Sequence, residues 1–66
     1  MYYSIKKITD EYEAVLHPCV KRFETAQDIL KRMSVYFSNQ GEDICLYVWS
    51  LSTKNAVYRI EENNDN

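Results

Sequence analysis

The stretch Ile44–Ile60, ICLYVWSLSTKNAVYRI, constrains the fold most strongly, because it alternates like a β-hairpin and yet is apolar on both sides. Polar residues Ser52–Asn55 separate two runs of β-formers, which predicts a turn between two strands. A two-residue turn at Lys54 and Asn55 is the alternative, and its even length leaves every residue on the same face. The cross-strand pairs predicted for the longer turn are Leu51–Ala56, Trp49–Tyr58 and Tyr47–Ile60.

Side chains alternate between the two faces of a strand, so this hairpin has an aromatic face and an aliphatic face. The predicted aromatic face consists of Cys45, Tyr47, Trp49, Leu51, Ala56, Tyr58 and Ile60. The predicted aliphatic face consists of Ile44, Leu46, Val48, Ser50, Val57 and Arg59. Because only the aliphatic face contains a charge, we expect the aromatic face to pack under a helix.

The best-defined helix is predicted over Thr25–Asn39. Thr25 is a candidate N-cap with Asp28 three residues later, and Gly41 suits the left-handed residue that ends a helix. A polar side is expected to hold Gln27, Lys31, Ser34 and Ser38, while Val35 should be exposed. Apolar residues at helical spacing form one stripe. They are Ala26, Ile29, Leu30, Met33, Tyr36 and Phe37.

Two further strands are predicted before the helix, at Tyr2–Ile8 and Tyr12–His17, separated by a polar turn. A helical turn is the alternative for the second. Pro18 is expected either to end this segment or to place it at a sheet edge. The element order β-β-α-β-β predicts a single α+β domain over residues 1–62, with an antiparallel sheet of three or four strands and one helix on one face. Residues 63–66 are expected to be a frayed polar tail.

One helix covers one face of a sheet, so the aliphatic face should need a cover of its own. We expect a second copy of the chain, in a twofold dimer, or another protein to provide it. Two alternatives are a cover by the segment 12–23 and an exchange of the two faces. On this hypothesis Val48→Glu would separate the dimer and leave the fold intact. The predicted interaction residues are Ile44, Leu46, Val48, Val57 and Arg59.

Catalytic and metal chemistry find little support in the sequence. His17 and Cys19 could form a thiol–imidazole pair, but no oxyanion-hole motif accompanies them. Neither they nor Cys45 follow the spacing of a structural zinc site. We therefore expect no enzyme activity, no cofactor, no metal and no small-molecule substrate.

Composition places the chain among globular proteins, with 66 residues, 45% hydrophobic residues and a net charge of −2. No signal peptide or membrane span is recognised, and only two cysteines are present, so we expect a cytoplasmic protein with reduced thiols. Compact, acidic, tyrosine-rich chains of this length occur among accessory proteins of phages and mobile elements, some of which inhibit host enzymes, and this similarity is one of composition only.

The predicted function is therefore a small non-catalytic protein–protein interaction module that self-associates through its sheet. The alternative is a nucleic-acid-binding protein that stacks bases on aromatic residues of the sheet. The acidic net charge and the acidic pair at Glu61 and Glu62 count against it. The residues considered for this platform are Tyr47, Trp49 and Tyr58, with Lys6, Lys7, Lys54 and Arg59 supplying positive charge.

Overall fold

The computed structural model describes residues 1–62 and has one helix on one face of a four-stranded antiparallel sheet. In space the strands lie in the order β2-β1-β3-β4. This confirms the predicted α+β class, while the predicted tail at 63–66 lies outside the described residues. The elements are β1 (Tyr3–Ile8), β2 (Glu13–Val20), α1 (Phe23–Asn39), β3 (Ile44–Ser50) and β4 (Asn55–Glu62).

The first hairpin is closed by the polar segment that the sequence marks as a turn. Thr9 ties it together, since its backbone N–H donates to the carbonyl of Tyr12 at 2.9 Å and its hydroxyl accepts from the N–H of Tyr12 at 3.2 Å. The segment after the turn is a strand and not a helical turn. Pro18 lies within β2, which is an edge strand, where a missing N–H costs no ladder hydrogen bond.

Helix α1 begins earlier than predicted. Its N-cap is Arg22, and no side chain of the described residues caps the first turn, so the expected role of Thr25 as N-cap is wrong. The C-terminus matches the prediction, because Gly41 has a φ of 77°. The N–H of Gly41 donates to the carbonyl of Ser38, and the N–H of Glu42 donates to that of Phe37, which is the Schellman arrangement.

The buried line of the helix is rotated relative to the predicted stripe. Ala26, Leu30 and Ser34 are the buried residues of α1, although Ser34 was assigned to the polar side. The Ser34 hydroxyl donates to the carbonyl of Lys31 at 2.7 Å, so it needs no partner from the sheet. Tyr36, assigned to the apolar stripe, is 60% exposed. The rotation buries the small side chains of Ala26 and Ser34 on the side of α1 that contains Leu30.

The second hairpin differs from prediction by a bulge. Trp49 is paired with Ala56, but Val48 is paired with Tyr58, and the register shift leaves Val57 as an extra residue on β4. The connecting loop is residues 51–54, one position earlier than predicted. All three predicted pairs, Leu51–Ala56, Trp49–Tyr58 and Tyr47–Ile60, are therefore wrong. Because one extra residue exchanges the faces beyond it, Tyr58 and Ile60 point to the side opposite Trp49.

The predicted assignment of the two faces is also wrong, since the aliphatic face of β3 lies under α1. The bulge gives the physical reason: it moves Arg59 opposite Tyr47, away from the aliphatic side chains. On the helix-covered face β4 then contributes Tyr58 and Ile60, and Arg59 lies on the other face. The exchange of faces considered above has occurred for β3, and β2 joins the sheet edge and does not fold over it. The buried core is Ile5, Val20, Ala26, Leu30, Ile44, Leu46 and Val48.

Lys7 is a charged residue that is buried on this helix-covered face. Lys7 is 6% exposed, and its ammonium lies 2.9 Å from a carboxylate oxygen of Glu42. The same nitrogen lies 4.0 Å from the centre of the Phe37 ring. The carbonyl end of α1 also favours a cation nearby. The sheet therefore tolerates this lysine because its charge is paired at the C-terminal end of the helix.

Candidate interaction surface

The structure does not bring the predicted interaction residues together on one surface. Ile44 is 3% exposed, and Leu46 and Val48 are fully buried, so these three belong to the core under α1. Val57 and Arg59 are exposed on the edge strand β4. An exposed aliphatic sheet face, as predicted, therefore does not exist in residues 1–62, and a binding surface must be sought elsewhere.

The open face of the sheet, opposite α1, has an aromatic cluster enclosed by charged side chains. The Lys6 ammonium lies 4.3 Å from the centre of the Trp49 ring and 3.1 Å from a carboxylate oxygen of Glu13. The Tyr47 and Trp49 rings are 6.1 Å apart and tilted. Tyr47 is only 6% exposed although no helix of residues 1–62 lies on this face. The ion pair of Lys6 and Glu13 therefore helps to cover the Tyr47 and Trp49 rings on a face that α1 does not cover.

Proton affinities on the open face follow from these contacts. Hydrogen bonds from Lys6 and then from the Tyr47 hydroxyl hold the pKa of Glu13 below its ordinary value. Burial raises the pKa of Tyr47, and its hydrogen bond to Glu13 raises it further. Both groups therefore keep the ionisation state that suits the hydrogen bond, a neutral phenol donating to a carboxylate.

The β4 side of the open face is polar. The Cys45 thiol donates to a carboxylate oxygen of Glu61 at 3.6 Å, and Arg59 lies 3.8 Å from the other oxygen of that carboxylate. Burial, and then the Glu61 contact, raise the pKa of Cys45. A raised pKa disfavours the thiolate, so Cys45 does not have the environment of a reactive cysteine.

Two features of the open face bear on the nucleic-acid alternative. Tyr58 lies on the other face, and Lys7 is buried, so the platform considered from the sequence is not assembled as one surface. Of the rings that remain, Tyr47 is too buried for a base to stack on it. Trp49 is left as a single half-buried ring beneath Lys6.

An apolar groove of about 400 Å³ lies between α1 and the edge strand β2. Its surface is almost entirely carbon, and Arg32 adds a positive charge to the lining. Tyr36 stands at its side, 60% exposed, with its ring 5.3 Å from that of Phe37 in an edge-on contact. The groove is lined by Leu16, Ile29, Arg32, Met33, Tyr36 and Phe37.

The rotation of α1 creates this groove. The line through Leu30 contacts the sheet, while Ile29 and Met33 turn towards the flank above β2 and remain half-buried. The sequence contained the signal, since the predicted apolar stripe is wider than one line of contact with a sheet requires. Sequence reasoning missed the groove because it assigned Tyr36 to the core, and because Leu16 joins the lining only through tertiary contact.

The residues considered for catalysis or metal binding lie on the edge strand β2 and on β3. Cys19 is an exposed free thiol, and Nδ1 of His17 is buried without a hydrogen-bond partner in the described part of the chain. Within residues 1–62 no three histidine, cysteine or acidic side chains are grouped as metal ligands. Among the cavities described in residues 1–62, the groove between α1 and β2 is distinguished by its apolar lining, and it is the candidate docking site.

Comparison of the chain with protein-family models, with curated proteins and with solved structures finds no match. Among the residues that the structure describes, α1 lacks the length and the hydrophobicity that a membrane-spanning helix needs.

Proposed function

We propose that this chain is a small non-catalytic protein–protein interaction module whose docking site is the groove between α1 and β2. The observation that carries the proposal is the preformed apolar lining, to which Ile29, Met33 and Phe37 contribute side chains that the core does not fully bury. Concave apolar sites with a few polar groups are where ligands most often bind. The exposed Tyr36 adds the type of residue that most often anchors an interface.

The occupant that best fits the groove is a short amphipathic segment of another protein. An apolar side chain would fill the space between Leu16 and Met33, and an acidic residue beside it would pair with Arg32. The Arg32 guanidinium is 81% exposed and lies 3.3 Å from Asp28, a surface contact that is weak enough to be exchanged for a partner's carboxylate. Charge complementarity of this kind sets orientation more than affinity.

Selection of peptides from a random library on the immobilised chain tests the proposal. Enriched peptides should combine an apolar anchor with a neighbouring acidic residue, and their binding should shift the NMR methyl signals of Leu16, Ile29 and Met33. Tyr36→Glu should abolish binding, and Arg32→Glu should select basic flanks in place of acidic ones. Val35→Glu is the matched control, because Val35 is equally exposed on the same helix and outside the groove.

Two results would contradict the groove as the docking site. One is peptide binding that Tyr36→Glu leaves unchanged. The other is a set of shifted signals around Trp49 on the open face. Retention of the chain on single-stranded nucleic acid that weakens with salt would favour the alternative class of function.

A further inference from the structure

The two edges of the sheet are unequal. Edge strand β2 contains Pro18, and its register with β1 shifts at two places, both of which hinder pairing with a further strand. Edge strand β4 has eight residues and no proline, and among the strands of residues 1–62 it pairs only with β3. Its outward amide and carbonyl groups therefore have no strand to bond within residues 1–62.

The regular part of β4 is Tyr58–Glu62, because the bulge at Val57 interrupts the strand before it. A twofold axis perpendicular to the sheet would pair this stretch with its copy in antiparallel fashion. Such an axis keeps each side chain on its own face, and directly opposed residues share a face. The axis must therefore pass beside one residue, which then opposes itself. The middle of the regular stretch is Ile60.

Charge selects the same register. Arg59 and Glu61 lie on the same face of β4, with 62% and 58% of their side chains exposed. An axis at Ile60 sets Arg59 of each copy opposite Glu61 of the other, giving two ion pairs. An axis at Arg59 or at Glu61 would oppose like charges, which destabilises a strand pair. An axis at Tyr58 would bring the bulge into the pairing.

We propose that two copies of the chain pair through β4, antiparallel and about a twofold axis at Ile60, to form one continuous eight-stranded sheet from the two four-stranded sheets. The half-buried Ile60 side chains meet on the helix-covered face, next to Tyr58. The interface is small, so the dimer should depend on concentration. This inference does not depend on the groove, which lies at the opposite edge of each sheet.

Charge reversal tests the pairing by sedimentation equilibrium. Arg59→Glu or Glu61→Arg alone should each weaken self-association by about tenfold or more, because each sets like charges opposite each other twice. An equimolar mixture of the two variants should associate as well as the wild type, since the two acidic side chains of one variant would then oppose the two basic side chains of the other. Lys31→Glu, which changes the net charge as Arg59→Glu does, should leave the dimer intact.

A cysteine at the axis gives an independent measurement. With Cys19 and Cys45 replaced by serine, Ile60→Cys should form a disulfide-linked dimer under mild oxidation, because opposed residues of paired strands lie within disulfide range. Tyr58→Cys should not, since Tyr58 would oppose Glu62. A wild-type chain that stays monomeric at millimolar concentration would overturn the proposal. The proposal would also be overturned if the equimolar mixture of Arg59→Glu and Glu61→Arg associated no better than either variant alone.

Discussion

Replacing Val48 by glutamate should unfold the protein, because this side chain is fully buried in a central strand under α1. The substitution loses the burial of a valine, about 1.5–3 kcal/mol. It also forces a carboxyl group into the core, where an unpaired charge costs about 3–5 kcal/mol. Lys7 does not offset this cost, because its ammonium already forms an ion pair with Glu42.

The sum, about 4.5–8 kcal/mol, is comparable with the whole free energy of unfolding of the domain. A chain of 66 residues is expected to have about 3–10 kcal/mol in total. Most or all of the free energy of unfolding would therefore be lost in this variant. The outcome is the opposite of the expectation that Val48→Glu separates a dimer and leaves the fold intact.

Thermal unfolding followed by far-ultraviolet circular dichroism measures the effect. Val48→Glu should show no cooperative transition, or one lowered by about 20 °C or more. Val57→Glu is the matched control: it makes the same chemical change at a residue 42% exposed in the bulge, and should shift the midpoint by a few degrees at most. Equal midpoints for the two variants would refute the placement of β3 under the helix.

Three further predictions concern the helix end and the open face. Glu42→Gln should lower the free energy of unfolding by about 1–3 kcal/mol in urea titrations, because it removes the charge that the buried Lys7 ammonium contacts; an unchanged midpoint would contradict this pairing. Glu13→Gln should lower the pKa of Tyr47, since it removes the carboxylate that favours the neutral phenol, and the tyrosinate absorbance of this residue should then rise at a lower pH than in the wild type, with Tyr47→Phe identifying its share of the signal. Gly41→Ala should cost about 1–2 kcal/mol in thermal melts because its φ of 77° is unfavourable for a residue with a Cβ, a cost that a substitution at the exposed Ser38 should not show.

The order and type of the elements were predictable from the sequence, because hydrophobic periodicity and turn residues are local signals. Gly41 and Pro18 are local signals of the same kind, since one marks the end of α1 and the other is compatible with an edge strand. The N-cap was not predictable in this way. Thr25 has suitable chemistry, but the helix begins at Phe23, whose ring packs 5.7 Å from that of Tyr3 and 6.4 Å from that of Tyr58. Aromatic packing at this end accompanies the earlier start.

The assignment of the two sheet faces depended on a single residue. Face membership was predicted for a loop of even length, and the bulge at Val57 changed the parity of β4 beyond it. Arg59 therefore lies on the open face together with Tyr47. Since the charge of the hairpin is then on the aromatic side, the aliphatic side chains of β3 pack under the helix. Bulges depend on tertiary packing, so no local sequence pattern in this segment predicted the bulge at Val57.

The rotation of α1 was likewise decided by packing. The sequence defined a broad apolar arc but not the line within it that meets the sheet, and Ser34 became buried because a small residue suits that line. The groove follows from this choice. Its apolar residues on α1 were therefore predictable as a group, whereas their exposure was not.

The central position of β1 has a consequence for how the chain folds. β1 pairs locally with β2, but its other side is completed only by β3, with Ile5 opposite Val48. During synthesis the first hairpin and the helix emerge without the strand that closes their shared core. Folding should thus be governed by the closure of this one long-range ladder, whose loop entropy must be overcome before most of the core is buried. Until β3 has been synthesised, the apolar side of α1 that packs on it stays exposed to solvent.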